Sequence, residues 1–208
     1  MSTTQTPESQ SAITPSQAIE ILKQGNVRFT SGSTTSRDYQ SQVSQTAGGQ
    51  YPLAAVVSCI DSRIPTEIVF DQGIGDIFNA RIAGNFVNED ILGSLEFACK
   101  VAGAKAIVVM GHTSCGAIKG ACDKAELGNL TQLLEKITPA VDAVETPEGA
   151  DRSSANAAFV DAVAAKNVEF TLAKIRENSS VLNEMLEANE IEIIGAMYDV
   201  ASGKVSFH

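Results

Sequence analysis

Hydrophobic and polar positions alternate along this chain between two regimes. PLAAVVSC (52–59) and AKAIVVMGH (104–112) are almost continuously apolar and of strand length, and DIFNARIAG (76–84) and EIEIIGAMYDV (190–200) carry two further strands. A turn at Ala201-Ser202-Gly203-Lys204 leads into a short last strand, VSF. Between them the period lengthens. IPTEIVF (64–70) reads as a helical turn, and Asn88 caps a helix with Leu92, Leu95, Cys99 and Ala102 on one stripe, stopped by Gly103. Helices are also expected over 115–125, 130–145 and 153–188 with breaks. Continuous rather than alternating hydrophobicity means strands buried on both faces. The expected fold is therefore α/β: four parallel strands plus a short antiparallel terminal strand, flanked by helices.

The amino-terminal quarter differs. Residues 1–13 are rich in Ser, Thr and Gln and read as a disordered tail. Thr14-Pro15-Ser16-Gln17 then has the form of a capping box with Pro at the first helical position, and Ile19, Leu22, Val27 and Phe29 give that helix an imperfect apolar stripe. Residues 31–50 are polar and Gly/Ser-rich, a connection long enough to suggest a functional or interface role. The expected organisation is one domain over 14–208, with an amino-terminal arm (14–50) and an α/β core (51–208).

Composition narrows the partners. The 208 residues are 44% hydrophobic and 19% charged, ordinary for a globular chain, and only 5% aromatic with no Trp. Twenty-five acidic residues against 15 basic give a formal charge of −10, a field that repels nucleic-acid phosphates and anionic lipid. No apolar run approaches the roughly 20 residues a membrane helix needs. The first basic residue is Lys23, so the amino end lacks the basic start of a leader, and four cysteines without a leader read as thiols in a reducing compartment. The expectation is a cytoplasmic protein with neither nucleic acid nor membrane as partner.

Two short stretches carry chemistry. SCIDSR (58–63) sets Cys59, Asp61 and Arg63 at every second position where a buried strand ends, and GHTSCGA (111–117) places His112 and Cys115 at the end of another. In a parallel sheet both lie at the carboxyl edge, where open α/β sheets bind ligands. If these strands are neighbours, two thiolates and an imidazole converge as zinc ligands do, with a fourth position left open as in catalytic sites. Cys115 at a helix start is expected to favour its thiolate. The alternative is that Cys59 is a small buried hydrophobe and Asp61–Arg63 a solvated ion pair. Cys99 reads as a packed thiol, Cys122 as a packed or half-exposed one and His208 as a frayed terminus. Gly73, Gly75 and Gly84 lack the spacing of a dinucleotide loop.

With SCIDSR, GHTSCGA and the intervening DQGIGDIFNARIAGN (71–85) in view, the chain resembles the β-class carbonic anhydrases from about residue 15 to the closing GAMYDVASGKV. The resemblance implies a zinc lyase that interconverts CO2 and bicarbonate by attack of zinc-bound hydroxide. It assigns one Zn2+ per chain to Cys59, His112 and Cys115. Asp61 and Arg63 match the family's dyad, which orients the nucleophile; Asp61 is also a conditional fourth ligand in a closed state. The substrate pocket carries over as Gln50, offered from a neighbouring subunit, Phe78 as an apolar wall, and Ala83-Gly84 as the floor. Phe97 stands where a tyrosine is common, and RIAGN replaces an RNVAN-like version. A homodimer or homotetramer is implied. Proton export has no second His to serve it; Tyr39, Asp61 or solvent are the available carriers. Two rivals stand beside this reading: a relative acting on carbonyl sulfide or carbon disulfide, and a zinc-holding or thiol-redox protein with no need of Asp61 and Arg63.

Overall fold

The continuous apolar runs become the middle of one five-stranded sheet. The computed structural model describes residues 4–208. The strands are β1 (Ala54–Ser58), β2 (Ile77–Arg81), β3 (Ala106–His112), β4 (Glu192–Tyr198) and β5 (Val205–Phe207). Their order is β2-β1-β3-β4-β5, with the first four parallel and β5 antiparallel to β4, as expected. Every residue of β1 and β3 is buried, because both faces are covered. Ala54, Val56, Val108 and Met110 point into one core cluster; Ala55, Val57, Ile107 and Val109 point into the other. Burying one such Val or Ile stabilises the fold by about 1.5–3 kcal/mol, so these two strands anchor everything at their ends.

The helices are α1 (Pro7–Ala12), α2 (Pro15–Thr30), α3 (Tyr39–Thr46), α4 (Thr66–Val69), α5 (Glu89–Glu96), α6 (Gly116–Cys122), α7 (Gly128–Glu135), α8 (Thr138–Ala143), α9 (Ala157–Asn178) and α10 (Ser180–Glu187). α2 starts as its sequence predicts, with Thr14 and Gln17 closing a reciprocal capping box. The longest helix, α9, serves both cores: Phe159, Val160, Val163 and Ala164 join one, Val168 and Ile175 the other. It lies so close to the sheet that a Cβ on Gly111 would stand 2.8 Å from both Val168 and Met197. Only a residue without a side chain fits there.

The amino end departs from expectation. The segment read as a disordered tail contains α1; residues 1–3 lie outside the described residues. Thr6 and Ser9 form a second capping box behind Pro7, and buried Gln10 donates to the carbonyls of Pro52 and Ala102, both at 2.8 Å. A polar composition does not forbid order when the polar groups pair with backbone that would otherwise be unsatisfied. The 31–50 connection likewise contains α3, capped by Asp38. After α5 the chain widens into a π-helical turn, Phe97–Val101, before Gly103 at φ +80° ends it.

Candidate metal centre

The sheet topology brings the two chemical stretches together. β1 and β3 are paired neighbours, Ser58 opposite Met110. Cys59 therefore leaves the carboxyl edge beside the end of β3, where His112 stands. After β1 the chain fills one side of it with β2 and then returns to the other side with β3, so the edge between β1 and β3 is the topological switch point. Ser114, at φ +54°, turns the chain so that Cys115 becomes the amino-terminal cap residue of α6.

The side chains converge. The ligand atoms of Cys59, His112 and Cys115 all lie within 4.8 Å of one another, the one such group of three or more among the described residues, and all three residues are buried. The two sulfurs are 3.9 Å apart, against an edge of about 3.8 Å for a tetrahedral ion with metal–sulfur bonds of about 2.3 Å. His112 Nδ1 lies 2.9 Å from the Thr113 carbonyl, which fixes the proton on Nδ1 and leaves Nε2 as the lone-pair nitrogen. That Nε2 is buried with no hydrogen-bond partner. An unpartnered buried acceptor facing two sulfurs is what a soft divalent cation such as zinc would satisfy, so the donor set fits the metal.

The thiols titrate as a pair. The Cys115 thiol donates to Cys59 and draws its pKa down, against the effect of burial, with help from the Gly84 amide. Cys115 is pushed up by the proton it shares with Cys59 and by burial. The amides of Ala117 and Ile118 at the helix start act toward a thiolate at Cys115, the direction the sequence suggests. The negative charge settles on Cys59.

Asp61 lies beside this group, its Oδ2 3.9 Å from His112 Nε2. Arg63 grips it from the other side. Arg63 Nε donates to Oδ1 at 2.9 Å, Nη2 to Oδ2 at 2.7 Å, and the Arg63 amide to Oδ1 at 2.9 Å. Those bonds hold the Asp61 carboxyl well below the usual carboxylate range. Arg81, absent from the sequence-derived site, donates to the Cys59 carbonyl at 2.9 Å and the Asp61 carbonyl at 2.5 Å, fixing the turn that carries both. Its signal was its place, opposite Ser58 at the end of β2.

The expected pocket residues divide. Gly84 stands at the centre, its amide donating to Cys59 Sγ at 3.4 Å, with half-buried Ala83 beside it. Gly84 is at φ +79°, and a Cβ on it would lie 2.4 Å from Ile137 Cδ1. Gln50 and Phe78 do not join them. Gln50 is exposed in a groove with Thr46, Ile74 and Gly75 at the amino edge of the sheet, the opposite end from Cys59. Phe78 lines a cavity of about 480 Å³ between β2 and α5, its ring 6.2 Å from that of Phe97. Tyr39 lines a separate groove with Ile68 and Ile74. Cys99 is core-packed as expected, pushed up to about 12 by burial, and Cys122 is half-buried. The His208 amide donates to Gly195 rather than fraying.

A mostly parallel α/β sheet with two cysteines and a histidine gathered at its switch point defines a class of protein able to hold a metal there, and comparison with known proteins names the family. The family model described as carbonic anhydrase matches residues 54–205. A carbonic anhydrase of Mycolicibacterium smegmatis is 36% identical over 198 residues, covering 92% of each chain. Among solved structures, the β-carbonic anhydrase CafA of Aspergillus fumigatus superposes with a TM-score of 0.71 at 24% identity, over 93% of this chain and 89% of that one. A tetrameric β-carbonic anhydrase of Sordaria macrospora gives a TM-score of 0.68 at 24% identity, over 81% of this chain and 89% of that one. This chain belongs to the carbonic anhydrase family, as an enzyme of the β class.

Proposed function

We propose that this enzyme catalyses the reversible hydration of CO2 to bicarbonate and a proton, with one zinc ion held by Cys59, His112 and Cys115. The observation that carries the reading is the buried convergence of two sulfurs and an unpartnered imidazole nitrogen with Asp61 at its edge. Zinc bound there would supply a water of lowered pKa as nucleophile. Asp61 is ionised and acceptor-only, so it would accept a hydrogen bond from that water, while Arg63 keeps the carboxylate from turning. Released from Arg63, the same carboxylate would serve a bound metal as a fourth ligand and close the site. Gly84 and Ala83 keep the floor small and apolar, which suits an uncharged, non-dipolar substrate.

Gln50 and Phe78 stand apart from this chain's own metal centre, so their contribution to a pocket requires a second copy. The exposed Tyr39, Ile68 and Ile74 side chains support a homo-oligomer, dimer or tetramer. Among the described residues no helix is long and apolar enough to cross a membrane. The four free thiols suit a reducing compartment, and we place the enzyme in the cytoplasm.

Metal analysis with stopped-flow CO2 hydration on the wild type and on Cys59→Ser tests this reading. About one zinc per chain with rapid hydration, both lost in the variant, supports it. Zinc without turnover leaves a binding protein, and a Cys59–Cys115 disulfide without metal leaves a redox protein.

A further inference from the structure

We propose that α9 carries two positioning residues for the metal centre, Asp161, which holds the turn that leads into Cys115, and Asn167, which holds the loop whose amide meets Cys59. The inference rests on the zinc reading above. Asn167 is buried and its Nδ2 donates to the Gly84 carbonyl at 2.7 Å. That bond fixes the peptide plane after a glycine at φ +79°, and the Gly84 amide, in the plane before it, donates to Cys59 Sγ. Asp161 Oδ1 accepts the Ser114 amide at 2.9 Å. Ser114 sits at φ +54°, a conformation serine adopts only under constraint. From it the chain steps directly to Cys115, and its carbonyl lies 3.4 Å from Arg63 Nη2.

One rigid element thus sets both halves of the site. Six residues along a helix separate the two anchors by about 9 Å, which matches two loops arriving from different strands. The chemical consequence differs between them. Through Gly84, Asn167 governs an N–H···S hydrogen bond that withdraws charge from a thiolate and weakens it as an electron donor. Through Ser114, Asp161 governs where the second sulfur stands. Neither touches substrate or metal.

The variants are Asn167→Leu, Asp161→Ala and Asp161→Asn, each compared with the wild type for zinc affinity by chelator competition. Cobalt-substituted protein is compared for its thiolate-to-metal charge-transfer band. Asn167→Leu should bind zinc about 10–100-fold more weakly and move the cobalt band to longer wavelength, because Cys59 becomes the stronger donor. Asp161→Ala should weaken zinc by a similar factor, and Asp161→Asn should restore it, since an amide oxygen still accepts the Ser114 amide. Equal zinc affinities and an unmoved band in all variants would overturn the inference. Should Asn167→Leu not fold, the Asp161 pair decides: equal affinities in Ala and Asn overturn it. A wild type that binds no zinc would instead remove the underlying zinc reading, a result the variants do not imitate.

Discussion

Asp71→Asn isolates one buried charge that ties the amino-terminal arm to the core. The Asp71 side chain is 2% exposed and meets two guanidinium groups, Arg28 at 2.5 Å and Arg37, whose side chain is 7% exposed. Thr35 adds its amide and hydroxyl. Asparagine has the same shape and tolerates the φ of +46° found there, but it removes the charge and turns one of two accepting oxygens into a donor facing the guanidinium groups. Arg37 is then left buried without its counter-ion, which costs about 3–5 kcal/mol; Arg28, 35% exposed, adds less. Burial alone would raise the Asp71 carboxyl, but the hydrogen bonds from Arg28, Arg37 and Thr35 outweigh it and the net direction is down. A depressed folded-state pKa contributes stability that is complete above the unfolded value of about 3.9 and is lost as pH falls through the folded value. Urea unfolding of both proteins at one fixed concentration, from neutral pH down to acid, reads this directly. The gap should be widest near neutrality and narrow once pH drops below about 4. A gap under about 1 kcal/mol at neutral pH, or one indifferent to pH, would refute the argument, since exposed pairs contribute no more than that.

Three further outcomes follow from the site. Gly84→Ala should lose about 2–4 kcal/mol in denaturant unfolding, combining a left-handed non-glycine residue with overpacking against Ile137; an unchanged midpoint would mean the loop shifts freely. Asp61→Ala should cut kcat for CO2 hydration by about 10–100-fold while zinc content stays at the wild-type level; unchanged turnover removes Asp61 from the mechanism. In thiol labelling followed by mass spectrometry, half-buried Cys122 should react first in the zinc-loaded enzyme. Chelation should then bring Cys59 ahead of it as the free thiolate, with Cys99 silent in both forms. Labelling of Cys59 at one rate with and without zinc would contradict its place as a ligand.

What was legible in the sequence was whatever depends on neighbours along the chain. The buried strands β1 and β3 follow from unbroken apolar runs, α2 from its capping box, and the placement of Cys59 and His112 from their position where those runs end. The α1 helix shows how a local signal can be outvoted. Thr6-Pro7 and Ser9 are a proper helix start, but the surrounding Ser, Thr and Gln lowered the apparent order, and the buried bonds of Gln10 join residues 42 and 92 positions away. The same distance hid the supports of the metal centre. Ser114 meets Asp161 across 47 residues and Asn167 meets Gly84 across 83. Neither belongs to a motif, and only the packing of α9 against both cores brings them in. Motif reading brought Cys59, His112 and Cys115 together because their chemistry is compressed into two hexapeptide-scale stretches, whereas the residues that hold the neighbouring loops are spread wherever a rigid helix passes.

That division has an energetic reason. His112 Nε2 without a partner costs about 1–3 kcal/mol of desolvation, and a buried thiolate at Cys59 is held against the penalty of its surroundings. A loop could not keep such groups together, because it would relax toward water. β1 and β3, buried at every position, and α9, seated on glycines at 111 and 195 where any Cβ would clash, are rigid enough to hold them. A bound cation would satisfy the nitrogen and both sulfurs at once, and binding only the folded state it would stabilise the chain by RT ln(1 + [metal]/Kd), about 4 kcal/mol at a thousandfold excess over Kd. Zinc removal should therefore lower the unfolding midpoint less in variants that loosen α9 and so weaken zinc binding. In Asp161→Ala, where the anchor itself is cut, the stabilisation gained on adding zinc back should be smaller than in the wild type at the same free metal concentration. An equal gain would show that the three ligands assemble without help from that helix.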